Sequence, residues 1–263
     1  LGVLIAAMAT GLAREMGAQP GHVLTVVAAV TAAIAVGTIR SVRVARSRSD
    51  DQQAATEVAP SAARAILILA ALCAAGFLVE DAIQNWSALH LERGLGASPA
   101  LGGAAPGVFA ASMFIGRAMG HPLGSRVTER ALLSGGAVVA AVGAAILAAA
   151  PSVLIAMVGL AFSGAGISMV APALFARAGR LAGPRGRGAA IARVTSLGYS
   201  GFIFGPAVVG LIAQATDLRT ALATLAVMAL LVGIAGWLVM TGDSTEAKGT
   251  FDDGEELLRT GRA

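Results

Sequence analysis

The chain has 263 residues, of which 56% are hydrophobic and only 13% are charged. A typical soluble domain has about 25% charged residues, so this composition excludes a water-soluble globule. The formal net charge of +4 is compatible with nucleic-acid binding. However, the arginines lie in short connections between long apolar segments, which is typical of a membrane protein with several spans. We therefore expect the lipid bilayer, and not nucleic acid, to be the partner of this chain.

Apolar segments of about 20 residues, the length needed to cross a bilayer, follow one another along the chain. Strands at that depth would require a closed barrel with alternating polarity, which these segments lack. The sequence therefore predicts an all-α polytopic membrane protein with about eight transmembrane helices, of which the first is short and incomplete. The predicted segments are 1–13, 21–42, 64–91, 100–119, 131–150, 152–176, 188–214 and 219–241.

Two polar segments lie outside the predicted helices. Residues 43–63 form a linker of low hydrophobicity between the second and third predicted helices, and residues 242–263 form a polar tail. The tail contains a cluster of four acidic residues, which we interpret as a solvated surface and not as a metal site. They are Asp252, Asp253, Glu255 and Glu256.

The basic residues predict the orientation of the chain in the membrane. Sixteen of the nineteen Lys and Arg residues lie in or next to the 43–63 linker, the tail and every second connection, and only Arg14, Arg93 and Arg219 lie in or next to the others. Because basic residues are enriched on the cytoplasmic side, the linker and the C-terminus are predicted to be cytoplasmic. Among the basic residues only one is lysine, and alanine is abundant, which suggests a GC-rich bacterial genome. We accordingly expect a multi-pass protein of the plasma (inner) membrane.

A polar face interrupts the third predicted helix, in the stretch FLVEDAIQNWSALHL. Glu80 and Gln84 are four residues apart, as are Asp81 and Asn85, so the two pairs lie on adjacent stripes of a helix. Glu80 is expected about 3 Å from the bilayer midplane. An acid there costs about 2.5–3.5 kcal/mol, and such residues usually face a cavity or a partner. The face therefore predicts a water-filled cavity between helices.

Each of these residues also has a structural interpretation. Gln84 and Asn85 can bond neighbouring helices, and either acid can pair with a hydroxyl group of another helix. Trp86 lies about 11 Å from the centre of the span, where interfacial aromatic residues collect, so an anchoring role competes with solute contact.

The motif GYSG, residues 198–201, raises the alternative of a membrane serine hydrolase. Such chemistry requires a general base within hydrogen-bond reach of Ser200. The three histidines, His22, His90 and His121, lie near the ends of connections, whereas Ser200 lies well inside its segment. We therefore predict no catalytic residue and no enzyme, and the absence of nucleotide and metal-ligand motifs predicts no cofactor and no metal site.

The order of the segments resembles the major facilitator superfamily, in which two six-helix bundles are joined by a cytoplasmic loop. Six predicted helices follow the polar linker, and part of a group precedes it. The stretch GRAMGHPLGSRVTER, residues 116–130, is similar to the loop signature of that family, although His121 and Ser125 stand where acids are common and Thr128 where glycine is. The matching positions are Gly116, Arg117, Gly120, Leu123, Arg126 and Arg130.

Two further stretches resemble the sugar-permease-like branch of the family: residues 80–100, and residues 164–180 together with 194–222. The resemblance implies that they belong to the seventh, tenth and eleventh helices of a twelve-helix protein. The chain would then be the C-terminal portion, running from the end of the fifth helix through the twelfth. Its implied parts are the end of the N-terminal bundle, with partial fifth and sixth helices (1–42), a cytoplasmic linker (43–63), the C-terminal six-helix bundle (64–241) and a cytoplasmic tail (242–263).

The resemblance implies a secondary active transporter that moves a small, sugar-like solute by alternating access, with the missing N-terminal helices as its structural partner. Substrate binding or proton coupling is assigned to the polar face, and gating or packing to a second group in the fifth segment after the linker, which consists of Arg193, Tyr199, Gly205 and Pro206. Glu80 is the candidate for proton coupling, since burial favours the neutral form of a carboxyl group. The alternative is a truncated, transport-inactive membrane protein that acts through helix–helix interaction.

Overall fold

The computed structural model describes residues 60–240 except residue 125. The predicted segments 1–13 and 21–42, residues 43–59 of the linker and the 242–263 tail lie outside the described residues. All regular elements of the described part are helices. They are α1 (Pro60–Leu89, continued by a π-helical turn, His90–Gly94), α2 (Pro99–Gly124), α3 (Glu129–Ala149), α4 (Val153–Ile167), α5 (Val170–Leu181), α6 (Gly183–Gly198), α7 (Ser200–Ala215) and α8 (Leu218–Val239).

These helices make six membrane spans by length and composition, which confirms the all-α prediction for this part of the chain. The fourth span combines α4 with α5, and the fifth combines α6 with α7. All six predicted segments between residues 64 and 241 correspond to an observed span. The spans are Ala62–Gly94, Pro99–Gly120, Glu129–Ala149, Val153–Leu181, Gly183–Ala215 and Leu218–Val239.

Local chemistry explains how the third and sixth spans begin. The hydroxyl oxygen of Thr128 accepts a hydrogen bond from the amide of Ala131, and Asp217 accepts one from the amide of Thr220 at 2.9 Å. Both residues satisfy amide groups that have no partner inside a helix. Hydrogen bonds from Thr220 hold the pKa of the Asp217 carboxyl below its usual range. This cap therefore stabilises the fold above that usual range, and its contribution is lost as the pH falls through the lowered pKa.

The first span lies at the centre of the bundle. It packs against the second, fourth, fifth and sixth spans, while the third span packs against the fourth and the sixth. Small residues allow the backbones to approach closely, as is common between membrane helices. A Cβ atom on Gly159, for example, would lie 2.6 Å from the amide nitrogen of Leu147 in the third span. Hydroxyl groups add hydrogen bonds between spans, such as that from Ser134 to the carbonyl oxygen of Gly233 at 3.0 Å.

The helix of the fourth span is interrupted at Ser168 and Met169. Pro172 lies four residues after Ser168 and cannot donate the hydrogen bond that Ser168 would accept in a continuous helix, which accounts for the break. In the fifth span the helical hydrogen bonds continue through Tyr199, whose amide donates to Thr195 at 2.9 Å and whose carbonyl oxygen accepts from Ile203 at 3.4 Å. The break in the fourth span lies next to the first span, in the region of Glu80.

Candidate functional site

The polar residues of the first span form an arc around α1. Glu80 lies at the inner edge and is 9% exposed, Gln84 and Asp81 are half-buried, and Asn85 at the outer edge is exposed. The side-chain amide of Asn85 donates to the carbonyl oxygen of Asp81 at 2.8 Å. The polar face is therefore graded from a buried inner edge to an exposed outer edge.

Glu80 extends into a narrow, mostly apolar pocket between the first and fourth spans. Hydrogen-bond partners of its carboxyl group are absent from the part of the chain that the structure describes, but Arg117 and Asp81 interact with it electrostatically. The carboxyl group thus combines burial with one opposite and one like charge, an arrangement that often marks functional sites. The other residues that line the pocket are Cys73, Gly76, Phe77, Ile167, Val170 and Ala171.

The glycines of the 116–130 motif bring the second span close to the break in the fourth. A Cβ atom on Gly116 would lie 2.6 Å from the carbonyl oxygen of Ala165, and one on Gly120 would lie 2.7 Å from the sulfur of Met169. This close approach positions Arg117, which lies between the two glycines, beside the fourth span. Arg117 lines a groove of about 400 Å³ whose wall includes Met169.

The other two arginines of the motif have different environments. Arg126 is exposed. Arg130 is half-buried, and its guanidinium carbon lies 3.4 Å from the ring centroid of Trp237, a cation–π contact with the sixth span. The motif therefore does not form one compact site, and only its first part approaches Glu80.

Three of the sequence-predicted residues join the first span to the fifth. The indole nitrogen of Trp86 donates to the carbonyl oxygen of Pro206 at 3.1 Å. A Cβ atom on Gly205 would lie 2.9 Å from the carbonyl oxygen of Leu78, so glycine is required for this approach. This geometry favours a packing role for Trp86, Gly205 and Pro206 over direct contact with a solute.

An aromatic cluster next to Glu80 was not predicted. The rings of Phe77 and Phe202 are stacked with centroids 4.4 Å apart, and the half-exposed Tyr199 contacts both. Phe77 and Phe202 lie 125 positions apart in the sequence, so no local pattern connects them. Arg193 lies on the exposed side of α6, and it makes no hydrogen bond or ion pair with another described residue.

Ser200, which the sequence raised as a candidate nucleophile, makes a local contact in its own helix. The hydroxyl group of Ser200 donates to the carbonyl oxygen of Leu197 at 2.7 Å, a local helix contact. Within the same residues, no group of three or more His, Cys, Asp or Glu side chains could hold a metal ion. The site thus consists of a buried acid, polar amides, an arginine and aromatic rings.

Six apolar spans, of which the first packs against four of the others, define a polytopic α-helical membrane protein. The sequence profile of the Major Facilitator Superfamily matches residues 68–260. The chain therefore belongs to the major facilitator superfamily, as its motifs predicted.

Two curated bacterial proteins are similar to this chain. An uncharacterised MFS-type transporter of Yersinia pestis is 34% identical over 167 residues, which are 64% of this chain and 43% of that protein. The membrane protein MosC of Rhizobium meliloti is 28% identical over 158 residues, which are 60% of this chain and 39% of that protein. The chain thus spans less than half the length of the curated relatives that it matches.

Proposed function

We propose that this chain is the C-terminal part of a secondary active transporter that moves a small solute by alternating access. The observation that carries the proposal is the buried carboxyl group of Glu80 on the central span of a major facilitator bundle, beside the interrupted fourth span. An ionisable residue inside a membrane span is expensive, and its default interpretation is functional. In such transporters the solute binds near the midplane, between two repeats.

The open part of the polar arc is the proposed solute contact. Asn85, Gln84 and Asp81 provide hydrogen-bond donors and acceptors, and the phenol ring of Tyr199 provides an exposed aromatic surface nearby. Small-molecule sites combine apolar and aromatic walls with a few such polar groups. A hydroxyl-rich solute fits this combination, which agrees with the resemblance to the sugar-permease-like branch.

Glu80 and Arg117 are the proposed proton-coupling pair. Apolar surroundings favour a neutral carboxyl group, whereas a nearby guanidinium group favours a carboxylate. Movement of the second span relative to the first would change the distance between the two side chains and therefore the proton affinity of Glu80. The break at Ser168 and Met169 gives the adjacent fourth span a point at which it can bend as access alternates.

The topology can be tested with cysteines introduced into a background without native cysteines such as Cys73. We expect Ser98→Cys to react with an impermeant thiol reagent in intact cells and Ser47→Cys to be protected, because the basic residues place residues 43–63 in the cytoplasm. Labelling of both variants in permeabilised cells is the control. Labelling of Ser47→Cys alone in intact cells would reverse the proposed orientation, including the cytoplasmic C-terminus.

The rival proposal, a transport-inactive membrane protein, predicts that even the full-length protein shows no solute flux in liposomes. If the solute site needs walls from two bundles, residues 1–263 alone will show no saturable flux, whereas a full-length protein with the preceding helices will. The solute for this assay can be found by screening sugars for an increase in the melting temperature of the full-length protein. Saturable, solute-specific flux from residues 1–263 would contradict the two-bundle mechanism. A reading frame without the additional upstream spans would favour the rival.

A further inference from the structure

A pocket of about 370 Å³ opens at the arginine-rich end of the bundle, between the third, fourth and sixth spans. Three of the residues that line it are arginines and one is glutamate, so the formal charges leave an excess of two positive charges. The proposed solute site uses none of these residues. They are Val127, Thr128, Glu129, Arg130, Arg177, Arg180 and Met240.

The one acid of this pocket is already paired. Both terminal nitrogens of Arg180 donate to the two carboxylate oxygens of Glu129 in a bidentate ion pair. Arg177 is only 8% exposed and interacts electrostatically with both members of this pair. Because Glu129 has a single negative charge, it cannot neutralise all three arginines. Positive charge therefore exceeds negative charge among the described residues that line the pocket, which favours the binding of an anion.

Arg130 is also available to an anion. Its Nε atom is buried and has no hydrogen-bond partner among the residues that the structure describes, and the face of its guanidinium group rests on Trp237. The planar guanidinium group can contact an aromatic face and donate hydrogen bonds from its edge at the same time. Phosphate groups accept such bonds in a bidentate manner from arginine.

The surroundings of the pocket indicate which anion fits. Trp237 is 46% exposed at the end of the sixth span, as expected of an aromatic residue at the membrane interface. Large exposed apolar side chains lie on both sides of Trp237 along the sixth span, on a surface suited to hydrocarbon chains. These exposed residues are Leu230, Leu231, Ile234 and Leu238.

We propose that the pocket binds the phosphate headgroup of an anionic phospholipid, whose acyl chains lie along the exposed apolar surface of α8. Basic pockets between spans are suited to anionic headgroups. The site would bind lipid whether or not the chain transports a solute. If the proposed topology is correct, the lipid belongs to the inner leaflet.

The test uses the full-length protein in detergent, with dioleoylphosphatidylglycerol, dioleoylphosphatidylcholine or inorganic phosphate added. We expect phosphatidylglycerol to raise the melting temperature in a saturable manner and the other two to have little effect. An arginine near an anionic lipid contributes about 1 kcal/mol, or about fivefold in affinity. The double variant Arg130→Gln/Arg177→Gln should therefore bind phosphatidylglycerol about 30-fold more weakly. The matched control is Arg64→Gln/Arg185→Gln, which removes the same charge from two exposed positions outside the pocket.

Three results would overturn the proposal. Equal stabilisation by inorganic phosphate would indicate a soluble anion as the ligand. Unchanged lipid affinity of the double variant would exclude the two arginines. An equal loss of lipid affinity in the control variant would indicate a general charge effect. Should the double variant fail to fold, Arg130→Gln alone is expected to weaken lipid binding about fivefold. Unchanged affinity of that folded single variant would equally overturn the site.

Discussion

Replacing Glu80 by glutamine in the full-length protein is expected to abolish solute accumulation driven by a pH gradient while solute exchange across the membrane continues. Glutamine keeps the shape of the side chain but cannot bind and release a proton. Because Glu80 is buried beside Arg117 and the break of the fourth span, its protonation is the proposed link between the gradient and bundle movement. In proteoliposomes with an imposed pH gradient, the solute concentration inside should rise only to that outside.

The matched control is Glu92→Gln, which makes the same chemical change near the C-terminal end of the first span. Glu92 is half-buried and packs against Gly102 of the second span, away from the proposed solute contact. This variant should keep gradient-driven accumulation. Unchanged accumulation in Glu80→Gln would exclude Glu80 as the coupling residue. Loss of the folded protein in Glu80→Gln would favour the alternative that the acid only holds helices together.

Gly201→Ala is expected to lower the stability of the bundle by about 3 kcal/mol, the upper end of the usual cost of overpacking. A Cβ atom on Gly201 would collide with the carbonyl oxygen of Ala74 and would lie 2.8 Å from the amide nitrogen of Leu78. Both atoms belong to the backbone of the first span and cannot rotate away as a flexible side chain can. The fifth span would have to move, which would also disturb the hydrogen bond between Trp86 and Pro206. Denaturant unfolding in detergent measures the change.

Gly135→Ala is the control for this prediction. Gly135 lies on the exposed side of α3, where an added Cβ atom would meet no heavy atom within 4 Å. Alanine has a higher helix propensity than glycine by about 1 kcal/mol, so this variant should be as stable as the parent or slightly more stable. Equal destabilisation by both substitutions would show that close packing of the first and fifth spans is not the cause.

The class of the fold and the order of the six described spans could be predicted from the amino-acid sequence alone. The predicted segment 100–119, for example, corresponds to the observed span Pro99–Gly120. This works because the transfer of a segment into a bilayer depends on a sum over about 20 neighbouring residues, which the sequence displays directly. The loop motif and the two permease-like stretches were likewise sufficient to predict the family.

Which side chains contact one another could be seen only from the packing of the helices in three dimensions. The spacing of Glu80, Asp81, Gln84 and Asn85 predicted a polar face, but helical periodicity alone cannot show that Glu80 is buried and Asn85 exposed. The predicted segment 152–176 appeared continuous, whereas the helix of the span that it represents is interrupted at Ser168–Met169.

Contacts between distant parts of the chain likewise could not be predicted from the sequence. Phe77 stacks on Phe202, Arg180 pairs with Glu129, and Arg130 covers the ring of Trp237, although each pair is separated by at least 51 positions. The physical reason is that burial in lipid constrains each helix separately, whereas these contacts depend on how the helices rotate and approach one another. That arrangement is set by glycines and by close backbone packing between spans, which a single sequence does not reveal.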